Sequence, residues 1–124
     1  DENWGLADGE YRKWRQVLHD RYSLRTTRWY AAQATWPKVV TRIKAKRPIF
    51  VKVYIPAAGS YHMMVLCGVS TASSKKTVRV MDPWPVKEGT WWKAIPWKTF
   101  KKNDRDRYYG GWSLRKAFPA WRWR

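Results

Sequence analysis

Apolar positions along the chain follow two different rhythms, and the rhythm changes near Pro48. Behind Asp8, a residue type that caps helix starts, Tyr11, Trp14, Val17, Leu18 and Tyr22 fall at spacings of three, three, one and four. That interval gathers side chains on one face and predicts a first helix over 9–21, with Arg12, Lys13, Arg15 and Arg21 on its solvated side. Residues 23–34 hold no sustained period and read as an irregular connection. Trp36, Val39, Val40 and Ile43 then recur at i, i+3, i+4 and i+7 behind Thr35, with Pro37 tolerated in a first turn, so a second helix is predicted over 36–45. Lys44-Ala-Lys-Arg-Pro48 ends it, because the residue before a proline is pushed out of helical geometry and lysines suit a helix C-terminus.

From Ile49 onward β-branched and aromatic residues take over. Ile49 to Ile55, Tyr61 to Val69 and Thr77 to Asp82 read as strands, separated by Pro56 with Gly59 and by the polar stretch Ser70 to Lys76. Beyond Pro85 a short strand over 92–95, a helical turn over 97–101 and a further strand from Tyr108-Tyr-Gly-Gly-Trp112 are predicted, and Phe118 to Arg124 closes the chain. The length of 124 residues suits one domain spanning 1–124. The expected fold class is α+β, with two N-terminal helices packed on a small antiparallel sheet of about four to five strands.

Composition changes this picture in one respect. Hydrophobic residues at 44% and charged residues at 28% are those of a chain that folds. No apolar run approaches the roughly 20 residues of a membrane helix, and Asp1-Glu-Asn does not open a signal peptide, so any export signal is expected outside this sequence. Cys67 is the single cysteine and leaves no internal disulfide; His19 and His62 have no ligand spacing, so neither a metal nor a cofactor is expected. The departure is a net charge of +17, from 26 basic against 9 acidic residues, together with 11 Trp. Such a field attracts nucleic acid, lipid head groups, cell-wall polymers or an acidic protein such as an immunity-type partner. Arg28, Lys98, Lys101, Lys102, Arg105, Arg122 and Arg124 are the candidates, since they interleave with Trp97, Tyr108, Tyr109, Trp112, Trp121 and Trp123. The plainer account is that the cations solvate the surface and the rings pack a core.

One pair of residues could do chemistry. A hairpin centred on the polar turn near position 72 sets His62 opposite Asp82, Met64 opposite Val80 and Leu66 opposite Val78, with an apolar stripe leading to the polar pair. A carboxylate beside an imidazole fixes the ring tautomer and supports the imidazolium, as a general base requires. The competing reading is a satisfied histidine and an Asp that caps an Asp-Pro turn.

The wording of the segment adds to this. Arg47-Pro-Ile-Phe-Val-Lys-Val, Gly59-Ser-Tyr-His62-Met-Met-Val and Val80-Met-Asp82-Pro-Trp-Pro resemble the bacterial papain-like cysteine peptidases of the avirulence-effector and bacteriocin-exporter type. Trp36-Pro-Lys-Val-Val-Thr-Arg-Ile is similar to the helix before that family's first strand, and Ile95-Pro-Trp-Lys-Thr-Phe to the segment closing its sheet, so the resemblance covers about residues 35–112. It implies the right-hand half of a papain-like fold, with His62 as general base, Asp82 as the residue that orients it, and Trp84 and Pro85 in a structural turn. It also implies a bacterial effector or toxin, secreted or delivered.

The sequence departs from the family in lacking the nucleophilic Cys at the start of an N-terminal helix and the oxyanion-hole Gln before it. Cys67 is five residues from His62 on the same strand, hence on the opposite face and about 16 Å along it, and is expected to be a buried apolar residue. Trp29-Tyr-Ala-Ala-Gln echoes the family's Cys-Trp-Ala-Ala but lies too close to the second helix. Ser60, Ser70 and Ser113 have no nucleophile motif, and the carboxylates show no pairing for glycoside hydrolysis. Three expectations follow: a thiol supplied by an upstream segment or a second chain, an inactive domain whose cationic, Trp-rich surface binds an anionic partner, or a membrane-active or nucleic-acid-binding toxin domain whose peptidase likeness is only ancestral.

Overall fold

The computed structural model describes residues 16–17, 19–21, 24–72, 75–85, 87–103 and 111–122. Of the first predicted helix, residues 16, 17 and 19–21 are helical and the remainder lies outside the described residues. The strands are β1 (Leu24–Thr26), β2 (Trp29–Tyr30), β3 (Ile49–Ile55), β4 (Ser60–Ser70), β5 (Thr77–Asp82), β6 (Thr90–Pro96), β7 (Lys102–Asn103) and β8 (Trp112–Arg122). Helix α1 is Trp36–Lys44 and α2 is Trp97–Lys101.

The strands form one antiparallel sheet in the order β1-β8-β3-β4-β5-β6, with β2 and β7 also pairing along β8. At the centre, β3 owes its place to a run of β-branched and aromatic residues buried on both faces. Ile49, Val51, Val53 and Ile55 face the core, while Lys52 on the other face is also buried, its ammonium 4.2 Å over the Tyr61 ring. After β3 the chain makes a turn at Pro56–Ala58 and closes it on Gly59, whose φ of +62° is one that a residue without Cβ adopts at no steric cost. Val53 then pairs with His62, Val51 with Met64 and Ile49 with Leu66, which puts His62 on the core face. Helix α1 lies against that face through fully buried Val39. Pro37 occupies its first turn, and the Thr35 side chain makes no capping bond.

This architecture corrects the expected one. The molecule is mainly an antiparallel sheet, of eight strands among the described residues, carrying short helices of nine and five residues, and not two helices on four to five strands. The reason lies in β8, where the sequence pattern predicts only a short strand and a closing tail. It is an eleven-residue strand between β1 and β3, with Trp112, Leu114, Ala117, Phe118 and Ala120 buried. Between Lys52 and Val53 the β3–β8 register slips by one, leaving Arg115 as an extra, exposed residue. That bulge breaks the alternation by which a half-buried strand is recognised. The connection over 23–34, read as irregular, supplies β1 and β2, two very short strands that exist by pairing with β8. Of the strand expected from Tyr108, residues 108–110 lie outside the described residues.

A line of rings ties the helices to the sheet. Trp36 lies 5.5 Å from Trp97, Trp97 stacks at 5.9 Å on Phe100, and Phe100 meets Trp112 edge-on at 6.2 Å. The Trp112 indole N–H donates to the Phe100 carbonyl at 2.8 Å. Phe100 is fully buried, so Phe100→Ala should lower the unfolding free energy by about 3–5 kcal/mol, read by urea denaturation. A loss below about 1 kcal/mol would mean that the ladder collapses onto the gap without penalty. No helix among the described residues is long and apolar enough to cross a membrane.

Candidate active site

Three adjacent strands each bring one side chain to the same end of the core face. His62 is near the start of β4, Asp82 ends β5, and Trp92 lies on β6. His62 Nε2 lies 2.6 Å from Asp82 Oδ1, and both residues are fully buried. The Trp84 backbone N–H donates to the same Oδ1 at 3.0 Å, and the Trp92 indole N–H donates to Oδ2 at 3.1 Å. Both tryptophan groups can only donate, so the carboxyl group is the acceptor of the cluster, and an ionised carboxylate satisfies all of it. His62 is then the third donor, through Nε2–H, which leaves the basic lone pair on Nδ1. Nδ1 is closed to solvent together with the rest of the ring.

The two residues meet, but not as directly opposed partners. Val65 pairs with Met81 and Leu66 with Val80, two residues out of step with the expected register, which had set Leu66 against Val78. His62 therefore falls level with Trp84, and Asp82 is its diagonal neighbour, within the reach of long side chains across a pair. An offset of two keeps every inward residue inward, whereas an offset of one would have turned His62 to the other face. The offset comes with a bulge. Between Leu66 and Gly68 the ladder slips, so that Cys67 and Gly68 together oppose Arg79. Asp82 reaches Trp92 by the same diagonal geometry on its other side, since Asp82 pairs with Thr90 and Val80 with Trp92.

The chain after Asp82 is drawn tight around it. The Thr90 hydroxyl donates to the Trp84 carbonyl at 2.8 Å, and the backbone N–H groups of Glu88 and Gly89 donate to the Pro85 carbonyl at 3.1 and 2.8 Å. Gly89 has φ of +70°, and a Cβ there would sit 3.1 Å from the Asp82 carbonyl oxygen. The Asp-Pro-Trp-Pro sequence is thus built into the turn that aims the carboxylate.

Other candidates fall elsewhere. Cys67 lies on the opposite face of β4, as its spacing from His62 required, but it is exposed at the bulge and not buried as expected. Its thiol lies 3.6 Å from the Arg79 carbonyl, and the partial cover its sulfur keeps pushes the thiol above its ordinary value, against the pull of the Arg79 charge. Ser60, two residues before His62, has a buried hydroxyl oxygen that makes no hydrogen bond, so His62 does not activate it. His19 pairs with its neighbour Asp20 at 3.1 Å near the surface. Among the described residues no group of three or more His, Cys, Asp or Glu is gathered.

The basic candidates are dispersed. The Arg28 guanidinium stands 5.1 Å over the Tyr30 ring, and Lys98 and Lys102 are exposed. Lys101 is turned inward: its ammonium donates to the carbonyls of Ala31 and Ala34 and lies 5.6 Å over Trp97, and burial holds it below the ordinary lysine value. Its role is to clamp the turn between β2 and α1. Arg105, Arg124 and the Arg122 side chain lie outside the described residues. The residue that sequence reasoning missed is Trp92. The signal that could have found it is that a covered indole N–H needs an acceptor.

The family model described as the Peptidase_C39 like family matches residues 6–111. No curated protein and no solved structure matches the chain.

Proposed function

Because the chain belongs to the Peptidase_C39 like family, we propose that it is the His/acid portion of a papain-like cysteine peptidase, with His62 as general base and Asp82 as the residue that orients it. The observation that carries this reading is the 2.6 Å contact between His62 Nε2 and Asp82 Oδ1, buried and braced by two further donors. A bound carboxylate at Nε2 leaves Nδ1 to accept the proton of a thiol. The thiolate then attacks the substrate carbonyl carbon, and the imidazolium returns that proton to the departing amine as the amide bond breaks. Asp82 supports the positive charge on the ring between the two transfers without itself taking the proton. The thiol comes from an upstream segment or a second chain, because Cys67 is the chain's single cysteine and faces away from His62. A bacterial effector or toxin fits a domain whose +17 charge would hold it on an anionic partner.

The pH dependence of alkylation separates the two kinds of thiol. A histidine-paired thiolate reacts with iodoacetamide near pH 6, where Cys67, its thiol raised by burial, stays protonated and reacts slowly, gaining rate only as the pH rises. The chain should therefore be prepared alone and together with its upstream coding segment, labelled at pH 6, mapped by mass spectrometry and assayed on a fluorogenic peptide library. Rapid labelling of a cysteine other than Cys67, together with turnover, is the expected result. Labelling confined to Cys67 with no turnover in either preparation would sink the peptidase reading.

A further inference from the structure

We propose that the tryptophan-walled, cationic face between Trp29 and Trp97 is a binding site for single-stranded nucleic acid, independent of the His62 and Asp82 pair. Two clefts of similar size carry the inference. One, of about 400 Å³, is lined by Trp29, Pro37, Lys38, Thr41 and Arg42. The other, of about 390 Å³, is lined by Lys75, Lys76, Thr77, Pro96, Trp97 and Lys98. Both fall within the size range of ligand sites. They border one aromatic seam, because Trp36, the residue before Pro37, has its ring 5.5 Å from that of Trp97.

The chemistry of the walls selects the ligand. Neither lining contains a carboxylate, and Lys38, Arg42, Lys75, Lys76 and Lys98 form no ion pair among the described residues. In the first cleft Lys38 and Arg42, one turn apart on α1, stand 5.7 and 5.8 Å over the Trp29 ring, and in the second Lys75, Lys76 and Lys98 share the lining with Trp97. A flexible strand with splayed bases uses both features, its phosphates meeting the cations while its bases pack against the uncovered edges of the half-buried rings. A bilayer would need protruding rings, and Trp29, Trp36 and Trp97 are half-buried. An acidic peptide would occupy the cations and leave the tryptophans unused, and a duplex keeps its base faces stacked away from a cleft.

The test is fluorescence anisotropy of a labelled 20-nucleotide oligo-dT against the full chain across a salt series. Binding should weaken with salt, and Lys38→Glu/Arg42→Glu or Lys76→Glu/Lys98→Glu should each lower affinity by about tenfold or more. Lys87→Glu/Arg115→Glu, which makes the same change in net charge at exposed residues that line neither cleft, should stay within about twofold. Circular dichroism and thermal midpoints establish that all three pairs are folded, and glutamine versions at the same positions replace any that are not. Three outcomes overturn the proposal: equal losses in all three pairs, no binding at low salt, or cleft-dependent binding of phosphatidylserine vesicles or poly-glutamate that equals or exceeds that of the oligonucleotide.

Discussion

His62→Gln, in the preparation that carries the nucleophilic thiol, should reduce peptide turnover by about 10³-fold while leaving the domain folded. A general base contributes about 10² to 10⁴ in rate, and an amide has no basic lone pair to offer. Glutamine has a side-chain N–H within reach of the Asp82 carboxylate and fills much of the imidazole volume, so the buried acceptor keeps a donor. His62→Ala is a harsher change. His62 and Asp82 are 1% and 0% exposed, so removing the ring leaves a buried carboxylate short of its closest partner, at a cost of about 3–5 kcal/mol. The pair of variants separates the two roles by measurement of turnover and of urea unfolding on the same proteins. Full turnover in His62→Gln would remove His62 from the reaction, and equal stability of the two variants would remove the buried pair from the fold.

The parts of the fold that could be read from the sequence are those stabilised by neighbours in the chain. The bounds of β3, β5 and α2 agree with the sequence pattern to the residue, and those of α1 to within one, because β3 and β5 are short apolar runs closed by Pro56 and the Asp82-Pro turn, α1 ends ahead of Pro48, and α2 starts directly behind Pro96. What could not be read depends on distant partners. β1 and β2, of three and two residues, have no local pattern to reveal them and are strands only because β8 runs alongside. β8 itself carries an extra residue at Arg115, which sets two basic residues side by side with Lys116, and a proline at position 119, each of which weakens a period of two. The site shows the same division. That His62 and Asp82 share a face was legible from alternation, which survives an even offset in register. Their diagonal relation was not, because the ladder slips at Cys67 and Gly68, and no symmetric turn anticipates an unpaired residue.

The arrangement around Asp82 predicts which acid-side residues this site accepts. Oδ1 accepts from His62 and from the Trp84 backbone, and Oδ2 accepts from the Trp92 indole. Asp82→Ala strands all three donors and should cost about 3–5 kcal/mol. Asp82→Asn retains the oxygen that serves His62 and Trp84, so the ring tautomer persists, but it sets an NH₂ group against the indole N–H, 3.1 Å from where Oδ2 now lies. Two donors facing each other in a covered site should cost about 1–3 kcal/mol. Trp92→Phe removes one of them. It should therefore destabilise the unmodified protein, which loses a hydrogen bond to its carboxylate, and relieve the Asp82→Asn variant. Urea denaturation of the unmodified protein, the two single variants and the double variant should give a coupling energy of about 1–2 kcal/mol in that direction. Additive losses would detach the indole from the carboxylate. Turnover adds the functional half of the test, because the amide of Asp82→Asn lacks the charge that supports the imidazolium but still holds its tautomer. The rate of that variant should consequently lie between those of the unmodified protein and His62→Gln, and Trp92→Phe should leave that order intact, since the indole acts on the ring only through Asp82.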